Sequence, residues 1–305
     1  MPPLAAWLRF PARLFFRQVD ERIYAAVRMG FAAVALLNLL FLWPDRQVFF
    51  SDTGLIDADV AQAHGYPAYF SIFAFARSAQ AVSCYLLATA AALVLLLVGV
   101  ATRLAAFWAL VWQLSYIARA PLVTTGWDMV LHVFALLLVV SPPGHCWSLP
   151  ALLRGGGKAR PAQVSAHGLV LMRLQVLVIY WQAVLTRLTK PEPNFWNNGD
   201  FMSYFLLSHH ARWPGPWVLE FGPLLTLATY TTQLAELAIP VLLWVRKTRW
   251  WGALLGCSLH AGISVFTRDI EVFSLAMMMT YLAFLRAEDF HAIPDRVRRW
   301  FARRA

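Results

Sequence analysis

The residues best placed to do chemistry in this chain are ionisable groups set inside long apolar runs: Arg28, Asp128, His132, Arg173, Arg187, Glu236 and His260. A charge in hydrocarbon costs on the order of a few kcal/mol, so each one marks a structural pairing, a proton path or a ligand contact. Glu236, about 18 Å from the outer end of its helix at 1.5 Å per residue, is the costliest to leave unpaired. Arg28 and Arg173, each about 9 Å from the inner end of its helix, are the expected partners. An ion pair that stitches helices together and a proton-handling role both fit Glu236. His260 stands in Cys-Ser-Leu-His-Ala-Gly-Ile-Ser, whose small residues allow close helix approach. It reads either as a hydrogen-bonded core histidine or as a proton carrier. Asp128 and His132 are four apart and share a helix face, while Arg173, Tyr180 and Arg187 recur every seven residues along one stripe.

The elements that must position these groups are apolar runs near the length that crosses a bilayer core. Eight are expected: 21–43, 79–100, 104–117, 127–142, 168–188, 224–245, 250–266 and 272–285. The third, fourth and eighth are short and fit tilted or re-entrant segments. The composition agrees, with 60% apolar and 14% charged residues against the roughly 25% charge of a soluble domain. That balance excludes a disordered chain, a collagen-like chain and a disulfide scaffold.

The net charge of +10 has a direction as well as a size. With the N-terminus inside, the inner segments hold seventeen basic residues and five acids, and the outer loops hold seven and ten. Orientation follows the Lys/Arg count, so both termini are expected in the cytoplasm, and no nucleic-acid partner is needed to explain the charge. The expected class is all-α: a polytopic integral membrane bundle of about eight transmembrane helices. It comprises a basic interfacial segment over 1–19, a transmembrane domain over 20–285 and a basic cytoplasmic tail over 286–305. Residues 1–19 lack the apolar core and cleavage site of a signal peptide and suit an amphipathic helix on anionic lipid, with Asp20 as N-cap of the first span.

Cys84, Cys146 and Cys257 form no CxxC, and no metal-ligand spacing is present, so no metal is expected. After the fifth run, Pro191 and Pro193 should end the helix and Asn197-Asn198-Gly199 should turn the chain. Residues 201–210 should then lie as an apolar-faced helix along the outer interface. Adjacent His209 and His210 cannot share a helix face, which argues against a two-histidine metal site.

The order of motifs carries a resemblance. Tyr180–Trp181 and Ala183 precede a basic residue and Leu188; Trp196-x-x-Gly199 follows, then Glu236-Leu-Ala, then Arg249 with His260 eleven residues on. Arg28, Asp128 and Trp147-Ser-Leu fit upstream. Together these resemble the HTTM family, the horizontally transferred transmembrane domain shared with vitamin K-dependent γ-carboxylase, over about residues 20–285. The resemblance implies a helical bundle with a lipid-accessible pocket on the non-cytoplasmic side. Tyr180, Trp181, Trp196, Asp128 and His132 are its candidate ligand-binding residues.

In the carboxylase, a lysine just before the Trp-x-x-Gly segment deprotonates reduced vitamin K. Oxygen then converts the quinol to a basic epoxide intermediate, which removes a γ-proton from glutamate before CO₂ adds. The matching position here is Arg187, and arginine stays protonated and cannot serve as a general base. Lys190, three residues on, is the other candidate base. The longest outside segments, about 35 residues each, do not hold the large domain with which the carboxylase captures its propeptide.

The expectation is therefore a non-carboxylating HTTM-like protein of a bacterial inner membrane, working at its periplasmic face. It would bind a quinone or another lipid-like ligand, or help mature a secreted peptide, as family members associated with exported peptide toxins do. Arg187 would orient an anionic group and His260 would donate a hydrogen bond or carry a proton. Glu236, Arg28 and Arg173 would hold helices or accept a proton. A thiol-oxidoreductase or other membrane subunit is an expected partner. The alternatives are a γ-carboxylase-like enzyme using reduced quinone, O₂ and CO₂, and a transporter or structural subunit. Transport would be favoured by broken helices or paired repeats, and the sequence has neither.

Overall fold

The computed structural model describes residues 13–64, 69–154, 161–191 and 194–290. Most of the expected interfacial segment 1–19 and most of the basic tail 286–305 lie outside the described residues. Among the described residues are eight helices of ten residues or more: α1 (Arg22–Leu42), α2 (Ala79–Val98), α3 (Thr102–Arg119), α4 (Gly126–Val140), α5 (His167–Leu188), α6 (Gly222–Trp244), α7 (Arg249–Phe266) and α8 (Glu271–Thr280). They fall on the eight apolar runs. Three of them (α1, α2 and α5) are both long and apolar enough to cross a membrane.

Local chemistry explains several helix limits. Ser78 caps α2 by accepting the Ala81 amide at 3.2 Å, and Gly99 closes it at φ 75°, a left-handed conformation that glycine adopts without a Cβ penalty. The first turn of α1 is held by Asp20, whose carboxylate accepts the Arg22 amide at 2.9 Å. Asp20 is not the N-cap itself, a place taken by Glu21. Instead it ends a strand that the all-α reading missed: β1 (Gln18–Asp20) pairs antiparallel with β2 (Gln163–Ser165), Val19 opposite Val164. Three-residue strands carry too little alternation to show as a period in sequence.

The chain divides into two compact units, Met1–Leu171 with Leu285–Ala305, and Met172–Phe284, so the boundary falls inside α5. In the first unit α1 packs against α2 and α4, α2 against α3, and α3 against α4. An aromatic core forms there, with Phe50 stacked on Phe73 at 5.0 Å and Trp112 on Tyr116 at 5.6 Å. Fully buried Arg119 donates to the carbonyls of Phe50, Ser51 and Ile56 at 3.1, 2.8 and 2.7 Å, tying a loop to the end of α3. In the second unit α6 packs on α7, α7 on α8, and α8 runs on into a 3-10 turn, Tyr281–Phe284. Large apolar side chains also face outward on the long helices, among them Leu40, Leu87, Leu104, Leu185, Leu234 and Leu254. Helices apolar on both faces suit a lipid solvent.

The segment after α5 differs from the expected interfacial helix. It is helical only over Phe201–Leu206. It packs along α6: the Thr229 hydroxyl accepts the Met202 amide at 3.1 Å, Tyr230 donates to the Asn197 carbonyl at 2.9 Å, and Gln233 donates to the Trp196 carbonyl at 3.1 Å. Gly199, at φ 86°, makes the expected turn, and the Thr226 methyl and the Tyr230 ring crowd the place where a Cβ would stand.

Candidate functional site

The second unit's polar groups are arranged along α5 at three levels, set by the seven-residue stripe. Seven residues are two turns, or about 10 Å. At the first level, Arg173 Nε donates to the Ala283 carbonyl at 2.8 Å, and its guanidinium lies 5.6 Å from the Phe284 ring centre. At the second, the Tyr180 hydroxyl stands between the Tyr281 hydroxyl and His260 Nε2, the latter at 2.8 Å. At the third, Arg187 forms an ion pair with Glu236.

This corrects the expected pairing of Glu236 with Arg28 or Arg173. Helix ends explain the error. Arg187 is one residue from the end of α5, whereas Glu236 is fourteen residues, about 21 Å, from the start of α6. α6 therefore runs on past the end of α5, and the segment 194–207 packs along that extension. A sequence reading that starts both helices at one membrane surface places the two groups at different depths.

The ion pair is enclosed by that segment. The Arg187 guanidinium lies 3.9 Å from the Trp196 ring centre, and Phe201 stacks on the same indole at 3.7 Å. Two groups this close must occupy opposite faces, so a planar ligand would meet the indole edge or displace Phe201. Asn194 Nδ2 holds the Arg187 carbonyl at 2.6 Å. Trp181, half exposed, donates to the Leu237 carbonyl at 3.2 Å. Lys190 is exposed just beyond the end of α5.

At the second level, His260 is 2% exposed and its Nδ1 has no partner among the described residues. If Tyr180 donates to Nε2, Nδ1 carries a proton and lacks an acceptor. If Nε2 donates to Tyr180, Nδ1 is a bare acceptor. Either tautomer leaves one buried ring nitrogen open, and such groups are uncommon in folded proteins. Gly256, one turn before His260, lies directly against the Tyr281 ring, so a Cβ there would collide with the phenol. Tyr281 is the site residue that sequence reading missed. Its visible signal is the Gly256–His260 spacing, which leaves room for a large polar side chain.

In the first unit, Asp128 and His132 share a face of α4 without sharing a partner. Asp128 Oδ1 accepts Asn38 Nδ2 at 3.1 Å, and Oδ2 accepts the Thr125 amide, the Thr125 hydroxyl and the Tyr116 hydroxyl at 2.9, 2.9 and 3.2 Å. His132 meets the Tyr69 ring edge-on at 5.9 Å. Arg28 donates to the carbonyls of Leu96, Leu97 and Trp147, not to a carboxylate. Among the described residues, no three His, Cys, Asp or Glu side chains gather as metal ligands.

The chain matches the family model of the HTTM domain over residues 16–288. It belongs to the HTTM family. This HTTM protein is a membrane protein whose described polar clusters all lie inside the matched range. No curated protein and no solved structure matches the chain. The functional reading of this HTTM protein therefore rests on its own residues.

Proposed function

We propose that this HTTM protein binds a quinone or a similar ring-bearing lipid in its second unit and does not carboxylate. The observation that carries the reading is the Arg187–Glu236 pair under Trp196. The position where the resemblance calls for a base holds a permanent cation already committed to a carboxylate. Two turns back along α5, Tyr281, Tyr180 and His260 form a chain of groups that each donate and accept. Its open end, His260 Nδ1, suits a quinone carbonyl or a quinol hydroxyl. A hydrogen bond to such a ligand would satisfy the one ring nitrogen the fold leaves unmatched.

In this reading all eight helices cross a bacterial inner membrane, both termini are cytoplasmic, and the end of α5 faces the periplasm. The arginine count supports that orientation. Maturation of a secreted peptide, with a thiol-oxidoreductase or other membrane subunit as partner, remains compatible with it. Lys190 as a carboxylase base has no comparable support, because it stands exposed beyond the helix end, apart from the hydroxyl–imidazole chain.

The test is mass spectrometry of the lipids that co-purify, followed by titration of a short-chain quinone against tryptophan fluorescence. Wild type should bind, and His260→Leu should bind roughly tenfold more weakly, the weight of about one buried hydrogen bond. Equal affinity in both proteins would defeat the proposal. Oxygen-dependent epoxidation of a quinol by wild type, lost in Lys190→Ala, would establish the carboxylase-like reading instead.

A further inference from the structure

α3 begins abruptly. Gly99 ends α2, and Ala101 at φ 45° turns the chain straight into the next helix with no side chain capping its first turn. The first amide to bond back is that of Ala105, to the Ala101 carbonyl at 3.0 Å. The amides of Thr102, Arg103 and Leu104 are those an α-helix leaves without intrahelical partners, and they carry the positive end of its dipole. Beside this turn is a cavity of about 10 Å³, walled by Arg28, Thr102, Arg103, Ala106, Pro142 and Pro143 among others. That volume takes one water-sized atom.

Arg28 is the second, independent feature. It is 1% exposed, its two Nη groups are spent on main-chain carbonyls, and its Nε has no partner among the described residues. Among the described residues, the cavity wall holds two arginines and no carboxylate. The acids at the start of α1 are engaged with other groups: Asp20 grips Arg22, and Glu21 accepts the Ala162 amide at 3.0 Å. Arg28 spends its Nη groups on carbonyls that include the C-terminal end of α2, but its Nε stays unmatched among the described residues. With Arg103 and the α3 N-terminus it gives the cavity wall a positive bias that suits an anion and that no carboxylate among the described residues lining it offsets. Leu95, Leu104 and Phe107 on the same two helices are exposed, giving a bound acyl chain an apolar surface to follow.

We infer that this cavity receives one oxygen of a phosphate group, supplied by an anionic phospholipid. The remaining phosphate oxygens would stay at the mouth, within reach of Arg103, whose side chain is exposed. The arginine count places this end of the helices at the inner leaflet. The site lies in the first unit and does not depend on the quinone reading.

The test uses the full chain in a zwitterionic detergent. Native mass spectrometry would compare retention of phosphatidylglycerol with that of phosphatidylcholine, with and without inorganic phosphate. Wild type should retain phosphatidylglycerol roughly fivefold more, and Arg103→Gln, at an exposed position, should abolish that preference, as expected for about one cation at an anionic surface. Ala106→Leu, which fills the cavity, should do the same. Displacement of the lipid by inorganic phosphate would keep the site but assign it to the free anion. Equal retention of both lipids by wild type, or a preference unchanged in both variants, would overturn the inference and leave the cavity to a water molecule.

Discussion

Two buried polar clusters, one in each unit, use similar groups and close differently. Around Asp128, four donors meet two carboxylate oxygens, and the Asn38 carbonyl oxygen is in turn filled by Trp127 Nε1 at 3.3 Å. Around Tyr180, the chain of hydroxyls and imidazole stops at His260 Nδ1, which is open among the described residues, as is Gln233 Oε1 one turn from Glu236. A closed network has no atom left for a ligand, and its worth is structural. An open one accepts a lower stability for a group that can bind or pass a proton. On this ground Asp128, a candidate ligand-binding residue from sequence, is better read as the pin that joins α1, α3 and α4.

Substitutions separate the two kinds of cluster. Asp128→Leu should have the largest effect, because it strands the donors of Asn38 and Thr125 at once and leaves the Tyr116 hydroxyl only the Val123 carbonyl at 3.3 Å. A loss of about 4 kcal/mol is expected, read by thermal unfolding in detergent, with quinone affinity unchanged in the protein that still folds. A small loss would mean that the closed cluster is not a pin.

Glu236→Gln should cost about 3 kcal/mol, since it leaves Arg187 charged in a half-buried setting. The double variant Glu236→Gln with Arg187→Gln should recover most of that loss. A double-mutant cycle with no coupling would sink the pairing. Tyr281→Phe should cost only about 1 kcal/mol of stability yet weaken quinone binding by more than that stability loss would suggest. If affinity is untouched, the open cluster is not a ligand site.

The last effect, absent at neutral pH where the thiol is protonated in both states, concerns the loop thiol of the first unit. Burial pushes the Cys146 thiol up to about 12, aided by the Glu21 and Asp20 carboxylates and opposed by Arg28 and Arg22. The folded chain then keeps a proton that the unfolded chain releases near 9. Stability should therefore fall as pH rises between those values. In a Cys84→Ser, Cys257→Ser background, alkylation should keep accelerating up to about pH 11. A plateau near pH 9 would show that the loop is open to water.

Much of the fold was legible in the residues. Glu236, His260, Arg28 and Asp128 stand out because few charged groups interrupt the apolar runs, and those runs become helices within a few residues of the expected limits. The three-residue β1–β2 pairing was not legible, because nothing local distinguishes it from loop. Nor was the path of the segment 194–207, whose hydrogen bonds join residues about thirty positions apart in α6.

Helix positions, the charge bias and the identity of the polar groups inside the apolar runs follow from local composition, because insertion costs act residue by residue. Partners do not. Whether Glu236 meets Arg28, Arg173 or Arg187 depends on how far one helix extends past another, and that offset is set by packing along the whole of α6. Tyr281 joined the site for the same reason: Gly256 leaves room for its ring, and only the three-dimensional approach of α7 to the turn after α8 shows what fills that room.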